Sequence, residues 1–190
     1  MQHALIRKLE SFEALTDEDR LALNALVPRV RQVGARVDLI QEGDAPENVH
    51  LILDGFGCRY KVLPNGQRQI MAYFVPGDFC DLNVFILDQM DHSIGTISAC
   101  QVVDIPRSSV DEITANHPRI TRAFWWCALV DEAVLREWLV NIGRRPAHQR
   151  ISSASCCCDW RRSDTSAATT TPFPSSQPIL PPAWDWLRHT

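Results

Sequence analysis

No stretch of the chain approaches the roughly 18 consecutive apolar residues of a membrane-spanning helix, so no helical span is expected. The opening MQHALIRKLESFEAL lacks the uninterrupted apolar core of a secretory signal, and the expected location is cytoplasmic. An excess of positive charge is also missing: the formal net charge is −4 at pH 7. Coating nucleic acid requires clustered Lys and Arg to neutralise phosphates. That role is excluded for the chain as a whole, although a small basic face is not. Paired cysteine spacings are absent before residue 151. Cys58, Cys80, Cys100 and Cys127 stand far apart among apolar residues and read as reduced, mostly buried thiols.

What is present is an ordinary globular composition, 45% apolar and 22% charged over 190 residues. Leu5, Ile6, Leu9 and Phe12 form a helical stripe. Thr16-Asp17-Glu18-Asp19 resembles a capping box, a hydroxyl before a helix with a carboxylate three residues on, and Pro28 stops the short helix that follows. From Val30 the period becomes that of strands. Turn glycines recur at Gly43, Gly55, Gly66 and Gly77, at gaps of 12, 11 and 11 residues. Between them lie the strand-like runs Val49 to Leu53, Phe56 to Leu63 and Gln69 to Val75, and Ile94 to Ile97 and Gln101 to Ile105 follow. Asn65-Gly66 is a hairpin signal because both residues tolerate positive φ. Evenly spaced short strands of this kind predict an all-β sandwich or barrel.

After Pro106 the helical period returns, with a short turn at Ser109 to Thr114. Pro118 then opens a long helix, RITRAFWWCALVDEAVLREWLVNIGRR, with proline at an allowed first-turn position. Its apolar residues cover more than one stripe. One face can pack on the β domain. The other meets either the same helix of a second chain, which is the favoured expectation, or more of its own domain. The residues expected at the dimer seam are Phe124, Trp126, Val130, Val134 and Trp138.

Taken together, GDAPENVHLILDGFGCRYKVLPNGQRQIMAYFVPGDF and LREWLVNIGRRPAHQR resemble the sensor half of a Crp/Fnr-type transcription regulator, over about residues 1–150. The resemblance implies a mainly β fold with flanking helices, a double-stranded β-helix jelly roll of the cyclic-nucleotide-binding type, followed by a long C-terminal dimerisation helix. It implies a β-roll sensor with N-terminal helices at 1–117, a dimerisation helix and linker at 118–150, and no enzyme activity. In such regulators a helix-turn-helix that reads DNA follows.

The resemblance also places an effector pocket at Gly77, Asp78, Phe79, Cys80, Asp81, Leu82, His92 and Ser93. Gly77-Asp78-Phe79 and Ser93 match the pattern of cyclic-nucleotide binders. Leu82 stands where they carry a glutamate for the ribose, and His92 where they carry a phosphate-binding arginine. Leucine cannot accept from a hydroxyl, and a histidine near neutrality replaces a permanent charge. Tight binding of cAMP or cGMP is therefore not expected. The pocket either takes another small molecule or is filled by its own side chains. An iron–sulfur sensor needs an N-terminal cysteine cluster, and residues 1–57 contain no cysteine. No cofactor and no metal are expected. The competing readings are a stand-alone ligand-binding jelly roll and a cupin-type metalloenzyme. The second has only His50, Asp78, Asp81 and His92 to offer, without a close His-x-His pair.

Residues 151–190, ISSASCCCDWRRSDTSAATTTPFPSSQPILPPAWDWLRHT, show neither helical period nor strand alternation. Native disorder is one reading. The genetic code suggests another. If the last base of each codon is read with the first two of the next, Cys156 to Cys158 yields leucine twice. Asp159-Trp160 yields leucine, Trp184-Asp185 glycine and Asp185-Trp186 leucine. Such a frame can spell the first helix and turn of a helix-turn-helix. The tail is thus expected to be a frameshift product beginning near Arg150 to Ser153. The chain would keep its sensor and dimer helix but lack the recognition helix that base readout requires.

Overall fold

The structure is a computed structural model that describes residues 3–27, 29–82 and 88–144, without the side chains of residues 137, 138 and 140–144. The expected linker at 145–150 and the tail at 151–190 lie outside the described residues. Two short helices come first, α1 (Ala4–Glu10) and α2 (Asp17–Ala25). The capping box forms as expected: the Thr16 hydroxyl accepts from the Asp19 amide at 3.2 Å, and the Asp19 carboxylate accepts from the Thr16 amide at 3.0 Å. Two of the helix's orphan donors are thereby satisfied.

Seven antiparallel strands follow: β1 (Arg31–Val33), β2 (Asp38–Ile40), β3 (Asn48–Asp54), β4 (Gly57–Val62), β5 (Arg68–Phe74), β6 (Ser93–Thr96) and β7 (Cys100–Pro106). They make two sheets, ordered β1-β7-β3 and β2-β6-β4-β5. The four periodic glycines all have positive φ, between 81° and 94°. At Gly55 nothing else fits, because a Cβ there would lie 2.3 Å from the Ala99 carbonyl oxygen. The β4–β5 hairpin corrects one expectation. Asn65 keeps an ordinary negative φ; only Gly66 is left-handed. The Gly66 amide donates to the Leu63 carbonyl at 2.8 Å, and the Leu63 amide donates to the Gln67 carbonyl at 2.7 Å. Three residues, Pro64 to Gly66, close the loop with glycine at its left-handed position, so Asn65 has no need of positive φ.

Alternation along the strands divides the core in two. Ile52, Phe74, Cys80, Ile94 and Val102 fill the space between the sheets. Val49, Leu51, Val103 and Ile105 face the other way and meet the helices. Those helices are α1, α2, α3 (Arg107–Asn116) and α4 (Pro118–Arg144), which contribute Leu5, Leu9, Leu23, Val110, Ile120 and Phe124. The α3 helix is longer than the turn expected at Ser109 to Thr114. His117 then breaks the chain before α4, where its ring lies 3.2 Å from Asp19.

Candidate functional site

The turn after β5 is built before the site is. The Gly77 amide donates to the Ile52 carbonyl at 2.7 Å, and the Ile52 amide donates to the Asp78 carbonyl at 3.0 Å. The Asp78 carboxylate accepts from the Val75 amide at 2.9 Å and pairs with Lys8 of α1, both side chains being buried. Phe79 meets Phe124 of α4 edge to face, with centroids 5.0 Å apart. Gly77-Asp78-Phe79 is thus a clamp that ties the roll to α1 and α4.

A cavity of about 320 Å³ opens beside this clamp, between the roll and α4. Of the expected pocket residues, Asp78, Phe79, Asp81, Leu82 and His92 line it. Gly77, Cys80 and Ser93 do not. A Cβ at Gly77 would lie 3.0 Å from the Ala4 carbonyl oxygen, so the glycine packs closely on α1. Cys80 belongs to the core between the sheets, and burial pushes its thiol well above the ordinary range. The Ser93 hydroxyl accepts from the Glu42 amide at 2.9 Å, a loop contact on the roll. These three are corrections to the expected site: matching the motif placed them near the pocket, but their side chains or backbone are committed elsewhere.

Lys8, Arg59, Asp91, Asp131 and Glu132 enter from outside the motif. Sequence reasoning missed Arg59. It sits at an alternating position of β4, and nothing local marks it as different from Arg68 on β5. In the fold its guanidinium reaches across to α4, donating to Asp131 at 2.8 Å and to the Cys80 carbonyl at 2.7 Å. It also lies 5.4 Å above the Phe74 ring. The Nε of Arg59 is buried without a hydrogen-bond partner among the described residues.

His92 is buried, and its Nδ1 lies 2.6 Å from Asp91. Burial, and then the charge of Arg59, lowers its pKa, so the ring is neutral at pH 7. Its Nε2 is buried without a partner among the described residues. Burial, the largest influence, opposes ionisation of Asp91, but the His92 hydrogen bond together with smaller favourable interactions, Lys61 among them, leaves the carboxyl pKa lowered. Asp81 accepts from the His50 amide at 2.7 Å and lies 2.6 Å from its Nδ1. The four residues of the metalloenzyme reading are therefore divided among separate pairs: His50 with Asp81, Asp78 with Lys8, and His92 with Asp91. Among the described residues no group of three His, Cys, Asp or Glu side chains is arranged to hold a metal ion. Cys58, Cys80, Cys100 and Cys127 form no disulfide among the described residues, and burial raises the Cys58 thiol to about 12. No described helix is long and apolar enough to cross a membrane.

The long helix also required a correction. Phe124, Val130 and Val134 are buried within the single chain, Phe124 in the core shared with the roll, and Trp126 stacks on Phe12 with centroids 5.1 Å apart. The Trp138 side chain lies outside the described residues. The apolar residues left in solvent are Trp125, Leu129 and Leu139, 72%, 60% and 71% exposed.

The sequence profile of the cyclic nucleotide-binding domain matches residues 30–117, the span of the roll and its clamp. Over that stretch the chain is similar to cyclic nucleotide-binding domains. A nitrogen fixation regulation protein FixK from Bradyrhizobium diazoefficiens is 29% identical over 73% of this chain and 58% of its own length. The transcriptional activatory protein AadR from Rhodopseudomonas palustris is 25% identical over 84% of this chain and 64% of its own. The chain thus spans a little under two thirds of these curated relatives. In fold, the domain resembles FixK2 from Bradyrhizobium japonicum, with a TM-score of 0.62 at 22% identity over 70% of this chain and 66% of that one.

Proposed function

We propose that this chain is the sensing and dimerising half of a cytoplasmic Crp/Fnr-type transcription regulator, without sequence-specific DNA binding of its own. The observation that carries the reading is the cavity at the junction of the roll and α4, where a ligand could act on the helix. Five carboxylates (Asp78, Asp81, Asp91, Asp131 and Glu132) face it, against two fixed cations, Lys8 and Arg59. A cyclic phosphate would find the Arg59 guanidinium already engaged by Asp131. Tight cAMP or cGMP binding is therefore not expected, for a broader reason than Leu82 and His92 alone. The effector is a different small molecule.

The homodimer forms through the outward stripe of α4. Trp125, Leu129, Glu132, Arg136 and Leu139 are spaced 4, 3, 4 and 3 residues apart and are all exposed. That spacing is the seam of a two-stranded coiled coil. Glu132 and Arg136, which pair within one helix at 3.4 Å, supply opposite charges to offer across the seam. Residues 151–190 are a frameshift product where a helix-turn-helix was encoded, so the chain acts through its dimer and its pocket.

Light scattering on the purified chain tests the dimer: a mass of about twice 21.5 kDa is expected, and a monomer at high micromolar concentration overturns this reading. Resequencing the gene from the Leu135 codon past the stop, and translating every frame, tests the tail. An alternative frame that stays open into a second helix supports the frameshift. A frame that closes at once, or lacks the leucine and glycine codons expected above, makes the tail native.

A further inference from the structure

Arg59 is a largely buried charge that joins the roll to α4. Its side chain is 12% exposed, and it lies on β4 while the carboxylate that answers it lies 72 residues away on α4. A buried guanidinium is tolerated only when paired. Its planar fork suits a bidentate oxyanion, yet the fork is only partly used: Nη1 donates to Asp131, Nη2 to the Cys80 carbonyl, and Nε to nothing among the described residues. On the same cavity wall His92, 7% exposed in its side chain, holds Asp91 through Nδ1 and leaves Nε2 buried without a partner. With Nδ1–H given to the carboxylate, Nε2 of the neutral ring is an acceptor. Both residues, each with one unmet polar atom among the described residues, line a cavity large enough for a small ligand.

We propose that this cavity contains an oxyanion subsite centred on Arg59, and that the chain's own Asp131 occupies it in cis. The matching ligand is a small carboxylate or phosphate, best one with a hydroxyl that can donate to His92 Nε2. Asp131 supplies the charge such a ligand would bring, so the unmodified chain is closed to anions. A ligand that won Arg59 would free Asp131 and with it the hold of the roll on α4. The inference rests on the sensor reading of the cavity but is tested apart from it.

The test removes the internal occupant and asks whether an external anion replaces it. Thermal unfolding of the full chain is followed in sodium acetate and in inorganic phosphate, with sodium chloride at equal ionic strength as control. Asp131→Ala is expected to unfold at a lower temperature than the unmodified chain and to recover as acetate or phosphate is added. At about ten times the dissociation constant the midpoint rises by roughly 3–6 °C over the chloride control. The unmodified chain shows no anion-specific rise, and adding Arg59→Met to Asp131→Ala abolishes the recovery. Should Asp131→Ala fail to fold, Asp131→Asn keeps the shape and an acceptor for Nη1, and is expected to give a weaker rise of the same kind. Equal responses to acetate, phosphate and chloride in the folded variants overturn the proposal, as does recovery that survives loss of Arg59. A dimer without anion recovery sinks the subsite and leaves the sensor reading; recovery in a monomer does the reverse.

Discussion

The two faces of α4 have similar apolar content and different fates. The inward face buries Ile120, Phe124, Val130 and Val134, each 5% exposed or less, with Ile120 and Phe124 in the core shared with the roll. The outward face leaves Trp125, Leu129 and Leu139 in water, along with the Glu132–Arg136 pair. The faces differ in what lies opposite. The inward face meets Phe79, Leu51 and Ile105, side chains brought together by strands distant in sequence. Among the described residues Trp125, Leu129 and Leu139 stay in solvent, and large exposed apolar residues in line mark a contact surface.

The largest expected effect is on the inward face. Phe124→Ala removes the edge-to-face contact with Phe79 and leaves a cavity, at a cost of about 3–5 kcal/mol. Urea unfolding measures it; a loss below about 1 kcal/mol would mean that the helix does not pack on the roll as described. On the outward face Leu129→Asp should leave the fold of each chain intact and weaken self-association by about 2 kcal/mol, roughly thirtyfold in dissociation constant. Sedimentation reads this directly. Reversed results, with Leu129→Asp unfolding the chain and Phe124→Ala leaving it stable, would exchange the roles of the two faces.

Between the faces lies the pocket, and His92 there gives stability a pH dependence. Its folded pKa is depressed by burial and by Arg59, below the ordinary 6.5. The unfolded chain therefore takes up the proton first as pH falls. The neutral ring's contribution is present above pH 6.5 and is lost as pH drops through the folded value. His92→Gln should flatten that part of the decline between pH 7 and pH 5.5, and unchanged steepness in the variant would count against a buried neutral ring. His3, whose pKa burial also lowers, keeps its share of the slope in both proteins. The smallest effect is expected from Arg136→Ala. It breaks a pair whose side chains are each 64% exposed, and monomer stability should shift by no more than about 0.5 kcal/mol.

Much of this was legible in one dimension. The Thr16 capping box, the four glycine turns, most strand positions and the start of α4 at Pro118 were all read from local signals. Each depends on neighbours within a few residues, where backbone sterics and hydrogen bonding act. The clamp Gly77-Asp78-Phe79 was found by motif, but its chemistry was not. Asp78 is committed to Lys8, 70 residues away, and no local pattern announces that pairing. Ser93 matched the motif and serves the Glu42 loop instead. Arg59 matched nothing and became the centre of the site.

The sequence by itself determined the kind of elements, their order, the glycines that permit the turns, and the apolar supply for two cores. Those follow from φ preferences, alternation and the 3.6-residue period, which are properties of short segments. Only the tertiary structure decided which face of α4 is inside, which carboxylate answers which cation, and which polar atoms are left unmet beside the cavity. Those outcomes are settled by pairwise distances across long loops and by burial, which strengthens a charge pair and penalises an unpaired one. Asp131 and Arg59 carry no mark of each other in the sequence; the closing of the roll against α4 brings them to 2.8 Å.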